Sequence, residues 1–120
     1  MTALAIQASD AGDGAIDRGH LARMTFGDRG LEREVLALFD RQAELLIARM
    51  RGGGPPAVAT LAHTLKGSAA GIGASRVAQS AQAAEIAAGL SAPECVAAVD
   101  RLAAAVDEAR ALIAELLREG

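Results

Sequence analysis

Between Val96 and Leu116 the apolar residues Val96, Val99, Leu102, Val106, Ala109, Ile113 and Leu116 recur at steps of three and four. Such steps place every one of them on a single stripe of an α-helix, whereas a strand alternates its faces every second residue. A stripe of this length belongs to a helix of about 30 Å with one long face that must be covered. The remaining segments supply the cover. Leu31, Val35, Leu38, Gln42, Leu45 and Leu46 also recur at helical spacing, and Phe39 widens that stripe. This pattern predicts a helix capped by Asp28 and running to about Arg51, where the glycines at 52–54 stop it.

Pro55 and Pro56 suit the first turn of the next helix, where a missing N–H costs little. That helix should reach about Gly71. Gly71 and Gly73 end it, and Ser75 can cap a further helix with Val77, Ala81, Ala84 and Ala88 on one face, stopping near Gly89. "SAPE", Ser91 to Glu94, has capping-box spacing and starts the helix that ends near Arg118. Upstream, Asp17 can cap a short helix through Met24, with Leu21 and Met24 on one side. Residues 1–15 show no sustained period and are expected to form a flexible tail. No segment alternates as a strand does. Alanine, at 30 of 120 residues, favours helix and lets helices approach closely. The expected fold is all-α: an antiparallel four-helix bundle with a short additional N-terminal helix as a lid, forming one domain over 16–120.

Charge and composition narrow the function. The net charge of −3 is spread along the chain, with no basic stripe of the kind that binds nucleic acid. No apolar run approaches the roughly 20 residues of a membrane helix, and the N-terminus lacks the pattern of a signal peptide. One cysteine, Cys95, cannot form an internal disulfide, which fits a cytoplasmic location, and ordinary packing is its expected role.

The stretch "AHTLKGSAAGIGA", Ala62 to Ala74, holds one of two histidines and the only lysine. On a wheel at about 100° per residue, Val58, Leu61, Ala62, Leu65, Ala69 and Ile72 form a core stripe. His63 then points roughly 150° away from that stripe, toward water. Ala59, Lys66, Gly67 and Ala70 share its face. A mid-helix glycine costs about 1 kcal/mol relative to alanine, and at Gly67 it clears bulk from beside the imidazole. An anion on His63 would meet the Lys66 ammonium and the hydroxyl of Thr64 or Ser68. An exposed histidine beside a lysine is also an ordinary surface feature, and spacing alone does not separate the two. No second histidine or adjacent carboxylate completes a metal site, no hydrolytic triad is evident, and "GGGPP" lacks the GK[ST] and preceding strand of a phosphate loop. His20 has no comparable neighbourhood and is expected at the surface or as a cap.

"AHTLKGSAAGIGA" closely resembles the signature of histidine-containing phosphotransfer (HPt) domains of bacterial phosphorelays, approximately AHxLKGxxxxxGA. His63, Leu65, Lys66, Gly67, Gly73 and Ala74 fall where that pattern wants them. The upstream "FGDRGLEREVLALFDRQAELLIARM" is similar to the family's preceding helix, and Glu85 falls where the family often has Glu. The likeness covers about 20–118. Three departures stand out: "GGGPP" ahead of the histidine helix, Gly71 where many members carry Asn or Ser, and alanines in the fourth helix where larger aliphatics are common.

The resemblance implies a monomeric phosphocarrier rather than an enzyme. His63 would be the phosphoacceptor, attacking a receiver-domain phospho-aspartate through Nε2. Lys66 would supply charge for the phosphoryl group, and Gly67 steric clearance. Phe39, Ala59, Thr64, Gly67 and Ala70 would form the docking face. Partners would be response-regulator receiver domains and a (hybrid) histidine kinase, with no cofactor of its own and Mg²⁺ in the partner. Two alternatives have a different basis: a kinase-type dimeric phosphotransferase or the phosphoacceptor part of a chemotaxis kinase, which would need further domains, and a phosphorylation-independent helical protein-binding module.

Overall fold

A computed structural model describes residues 15–119. Five helices follow one another among the described residues: α1 (Arg18–Met24), α2 (Arg29–Gly52), α3 (Pro55–Gly71), α4 (Ser75–Ala87) and α5 (Ala92–Glu119). The tail expected over 1–15 lies outside the described residues except for Ala15, which is buried in the core and so belongs to the fold.

The four long helices form the bundle. α3 packs against α4 and α2, and α5 packs against α4 and α2, so each long helix has two principal neighbours. The core is built from one stripe of each helix. Leu36, Phe39, Ala43, Leu46 and Met50 come from α2, and Val58, Ala62, Leu65 and Ala69 from α3. Val77, Ala81, Ala84 and Ala87 come from α4, while α5 contributes Cys95, Ala98, Val99, Leu102, Val106, Ala109, Ile113 and Leu116. Alanines on facing stripes let the helices close up, and the larger Leu, Ile and Met side chains fill the remaining space.

The α2 stripe and single positions on three other helices differ from expectation. In α2, Leu38 is 59% exposed and Leu45 and Leu31 are also exposed, while Leu36, Ala43 and Met50 turn inward. This helix carries leucine at two phases, and the positions of α3 and α5 decide which of them is buried. In α5, Val96 is 61% exposed and Cys95 and Ala98 take the inner positions. Ala87 likewise replaces Ala88 as the innermost residue at the end of α4. In α1, Leu21 is buried but Met24 is exposed.

The caps follow the sequence at three of four places. The Asp17 carboxylate accepts from the His20 N–H and that of Asp28 from the Leu31 N–H, at 3.0 Å each. Ser91 Oγ accepts from the Glu94 N–H at 3.2 Å. Ser75 does not cap α4. It is the first helical residue, and the cap position is Ala74, with no side-chain hydrogen bond. The reason is the turn before it. Gly73 has φ +80°, its N–H donates to Ala70 O at 3.2 Å, and the Ala74 N–H donates to Ala69 O at 2.8 Å. This paired closure ends α3 with a left-handed residue, and Ala74, fully buried, enters α4 directly.

The same turn anchors α1. The Asp17 N–H donates to Gly73 O at 2.8 Å, and a Cβ at Gly73 would lie 2.9 Å from Asp17 O. His20 is neither free surface nor a cap of its own helix. Its Nε2 lies 3.2 Å from Gly71 O, which ties α1 to the C-terminal end of α3, where the carbonyls lack helical partners. Ion pairs pin the outer faces: Arg110 with Asp40 and Glu44 between α5 and α2, Arg51 with Asp100, and Arg76 with Glu108. Exposed pairs of this kind contribute little stability, so the core carries the fold.

Candidate functional site

α3 is the helix that presents the signature residues. Val58, Ala62, Leu65 and Ala69 hold one side of it in the core, which turns the opposite side outward. The His63 side chain is 67% exposed, as its place on the helix wheel predicts. Thr64, Gly67 and Ala70 are exposed around it, and Ala59 is half-buried. A Cβ added at Gly67 would meet nothing within 4 Å. The glycine therefore opens space one turn above the ring and does not serve helix packing.

The imidazole is held from a second helix. His63 Nδ1 lies 3.1 Å from Glu85 Oε2 of α4, and Lys66 Nζ lies 3.3 Å from Glu85 Oε1. One carboxylate thus bridges both signature side chains of α3. Partial burial pushes the Glu85 carboxyl up, but the hydrogen bond and charge of Lys66, followed by the charge and hydrogen bond of His63, outweigh it. The net result lies below the ordinary carboxylate value, so Glu85 is ionised at neutral pH. An ionised carboxylate has no proton to give, so Nδ1 carries the hydrogen and donates it. In the neutral ring the free lone pair is then on Nε2.

Glu85 is absent from the expected site residues, although the resemblance pointed to its position. Twenty-two residues separate it from His63, and only the packing of α4 on α3 brings them together. Lys66 was expected to face an anion on the ring. In the unphosphorylated chain its ammonium lies against the Glu85 carboxylate. The Thr64 hydroxyl donates to Thr60 O at 3.3 Å and is thereby directed along its own helix.

Phe39 is the clear correction to the expected docking face. It is 3% exposed and belongs to the core, because its phase on α2 matches that of Leu36 and Leu46. Its neighbour Leu38 takes the surface position. A shallow groove of about 330 Å³ runs between α2 and α3, lined by Val35, Leu38, Phe39, Gln42, Ser68 and Ile72.

Among the described residues, no group of three or more His, Cys, Asp or Glu side chains could hold a metal ion. No helix among them is long and apolar enough to cross a membrane.

Comparison with protein families places these features. The family model described as the Hpt domain matches residues 32–112, more than half of the chain and the whole of the His63–Glu85 site. The chain belongs to the Hpt family. Hpt domains are phosphocarriers in phosphorelays and not enzymes, they generally carry no cofactor of their own, and they interact with receiver domains and histidine kinases. Neither a curated protein nor a solved structure matches the chain.

Proposed function

We propose that His63 is the phosphoacceptor of this Hpt domain and that it exchanges a phosphoryl group with the aspartate of a receiver domain. The observation that carries this is the contact between His63 Nδ1 and the ionised Glu85, on a side chain that is 67% exposed.

The chemistry follows from the tautomer. The Nε2 lone pair attacks the phosphorus of the receiver's aspartyl phosphate. A nitrogen–phosphorus bond forms, the bond from phosphorus to the carboxylate oxygen breaks, and its electron pair leaves with the aspartate. No proton needs to be removed from the attacking atom, so no separate base is required. Positive charge develops on the ring as the bond forms, and the Glu85 carboxylate, accepting from Nδ1–H, stabilises it. Lys66 holds the second carboxylate oxygen, so its first role is to position Glu85 and keep it charged. Gly67 leaves room for the approaching receiver. The receiver supplies Mg²⁺ and most of the stabilisation of the transferring group. Ala59, Thr64, Gly67 and Ala70 line the contact around the ring.

The test is incubation with a receiver domain loaded by acetyl phosphate. The wild type should acquire acid-labile, base-stable phosphate on His63, while His63→Gln should acquire none and keep its helical circular dichroism. Phosphate retained by His63→Gln would refute the assignment. A wild-type chain that binds receivers without ever being phosphorylated would make it a helical binding module instead.

A further inference from the structure

The run "GGGPP", residues 52–56, takes no part in the phosphotransfer site. It makes the turn between α2 and α3, beside a cavity of about 330 Å³ lined from α2, α3 and the start of α5. Met50, Val58, Cys95 and Val99, each 4% exposed or less, form its floor, and Val96 stands exposed at its mouth. Arg51 is the only charged residue in the lining. Its Nη1 reaches Asp100 of α5 at 2.7 Å, and half of its side chain is exposed. One nitrogen on Asp100 leaves the rest of a five-donor guanidinium for another acceptor.

The turn itself keeps the cavity open. Gly53 has to be glycine, because a Cβ there would lie 2.8 Å from Ala57 Cβ. Gly54 does not. Its φ of −91° and ψ of −176° suit any residue, and are extended as the residue before a proline should be. A Cβ there would touch only Pro56 Cδ, at 3.8 Å. Neither the backbone nor packing within the chain calls for glycine at 54, yet Gly54 lines the cavity. What its missing side chain provides is an unobstructed mouth.

We infer that this cavity binds a small aliphatic carboxylic acid, with its tail against Met50, Val58, Val96 and Val99 and its carboxylate on Arg51. The volume lies at the lower end of the range for ligand sites. At about 30 Å³ for each water-sized group it takes roughly ten heavy atoms, which is an acid of about eight carbons. The lining is apolar within and positive at the rim. An apolar tail with an anionic head matches both parts, whereas a neutral or cationic molecule matches only the first. The site stands apart from the phosphotransfer reading. Val58 precedes His63 by five residues, about 140° around α3, so a bound acid leaves the imidazole open.

The experiment titrates the full chain with octanoate, octanol and octylamine and follows the backbone amide shifts by NMR. Octanoate should saturate with half-effect at about 1 mM, the scale for a ligand of about ten heavy atoms, and should move Val58, Cys95 and Val99 most. Cys95 is the only cysteine, so its reaction with a thiol reagent reads the same cavity and should slow as octanoate binds. Octanol and octylamine should need at least about tenfold more, the scale of a charge-assisted contact. Arg51→Gln should weaken octanoate by about tenfold and leave octanol unchanged. Gly54→Leu should melt at or above wild type, because the backbone already suits a leucine, and should lose octanoate binding. The absence of any saturable shift, or equal binding of all three compounds, would overturn the inference. So would undiminished octanoate binding in Arg51→Gln or Gly54→Leu. A wild-type dimer in sedimentation that Gly54→Leu dissolves would give the cavity to a second copy and overturn the acid as its occupant.

Discussion

Replacing Gly67 by alanine adds one methyl group to the outer face of α3, at a point where the structure leaves open space within 4 Å. Nothing has to move to admit it. The remaining effect is helix propensity, in which alanine exceeds glycine by about 0.8–1.0 kcal/mol in a helix interior. Unfolding entropy of about 2.1 cal/mol/K per residue over 120 residues comes to roughly 0.25 kcal/mol/K, so Gly67→Ala should raise the melting temperature by about 4 °C. The assay is a thermal melt followed by circular dichroism at 222 nm. Gly67→Gln separates stability from function. It should also fold, but its side chain lies at i+4 from His63 and should cut transfer from a loaded receiver by about tenfold or more. A fall in melting temperature for Gly67→Ala would mean that a neighbouring element occupies the space. The phase of α3 would then be wrong, and the exposure of His63 with it. Full transfer by Gly67→Gln would show that clearance is not why glycine is there.

Glu85→Gln should slow phosphorylation of His63 from a loaded receiver without unfolding the chain, since a neutral amide gives the developing ring charge no carboxylate; an unchanged rate would remove Glu85 from the mechanism. The folded-state pKa of Glu85 is lowered, so its contribution to stability is present above the ordinary value of 4.5 and is lost as pH falls through the folded value. The melting-temperature difference between wild type and Glu85→Gln should accordingly shrink below about pH 4.5, which a series of melts from pH 7 to 3 would measure. Lys66→Ala should slow transfer only partially, by about fivefold or less, because His63 alone still holds Glu85 through its other oxygen; complete loss of transfer would show that Lys66 acts on the phosphoryl group itself. Gly73→Ala should destabilise the fold by about 1–3 kcal/mol, because a Cβ there meets Asp17 O at 2.9 Å on a backbone of φ +80°. Hydrogen exchange should show α1 losing protection first, and a melt equal to wild type would contradict the role of that turn.

Local signals in the sequence determined the helices and most of their ends. The apolar steps of three and four, the glycines after Arg51 and Gly71, and the caps Asp17, Asp28 and Ser91 act within a turn or two of themselves, so no distant residue could overrule them. The exposure of His63 was legible for the same reason, because a well-defined core stripe on α3 leaves its opposite side to water. Three things were decided only in tertiary structure. Phe39 rather than Leu38 became core because α2 carries apolar residues at two phases, and the burial of one or the other depends on where α3 and α5 sit. His20 acquired Gly71 as its partner because α1 folds back over the end of α3. Glu85 reached His63 and Lys66 because α4 packs along α3. A carboxylate on one helix and an imidazole on another share no periodicity along the chain. Their distance, and hence which ring nitrogen carries the proton, is set by the packing of alanine-rich faces that bring the two helices together.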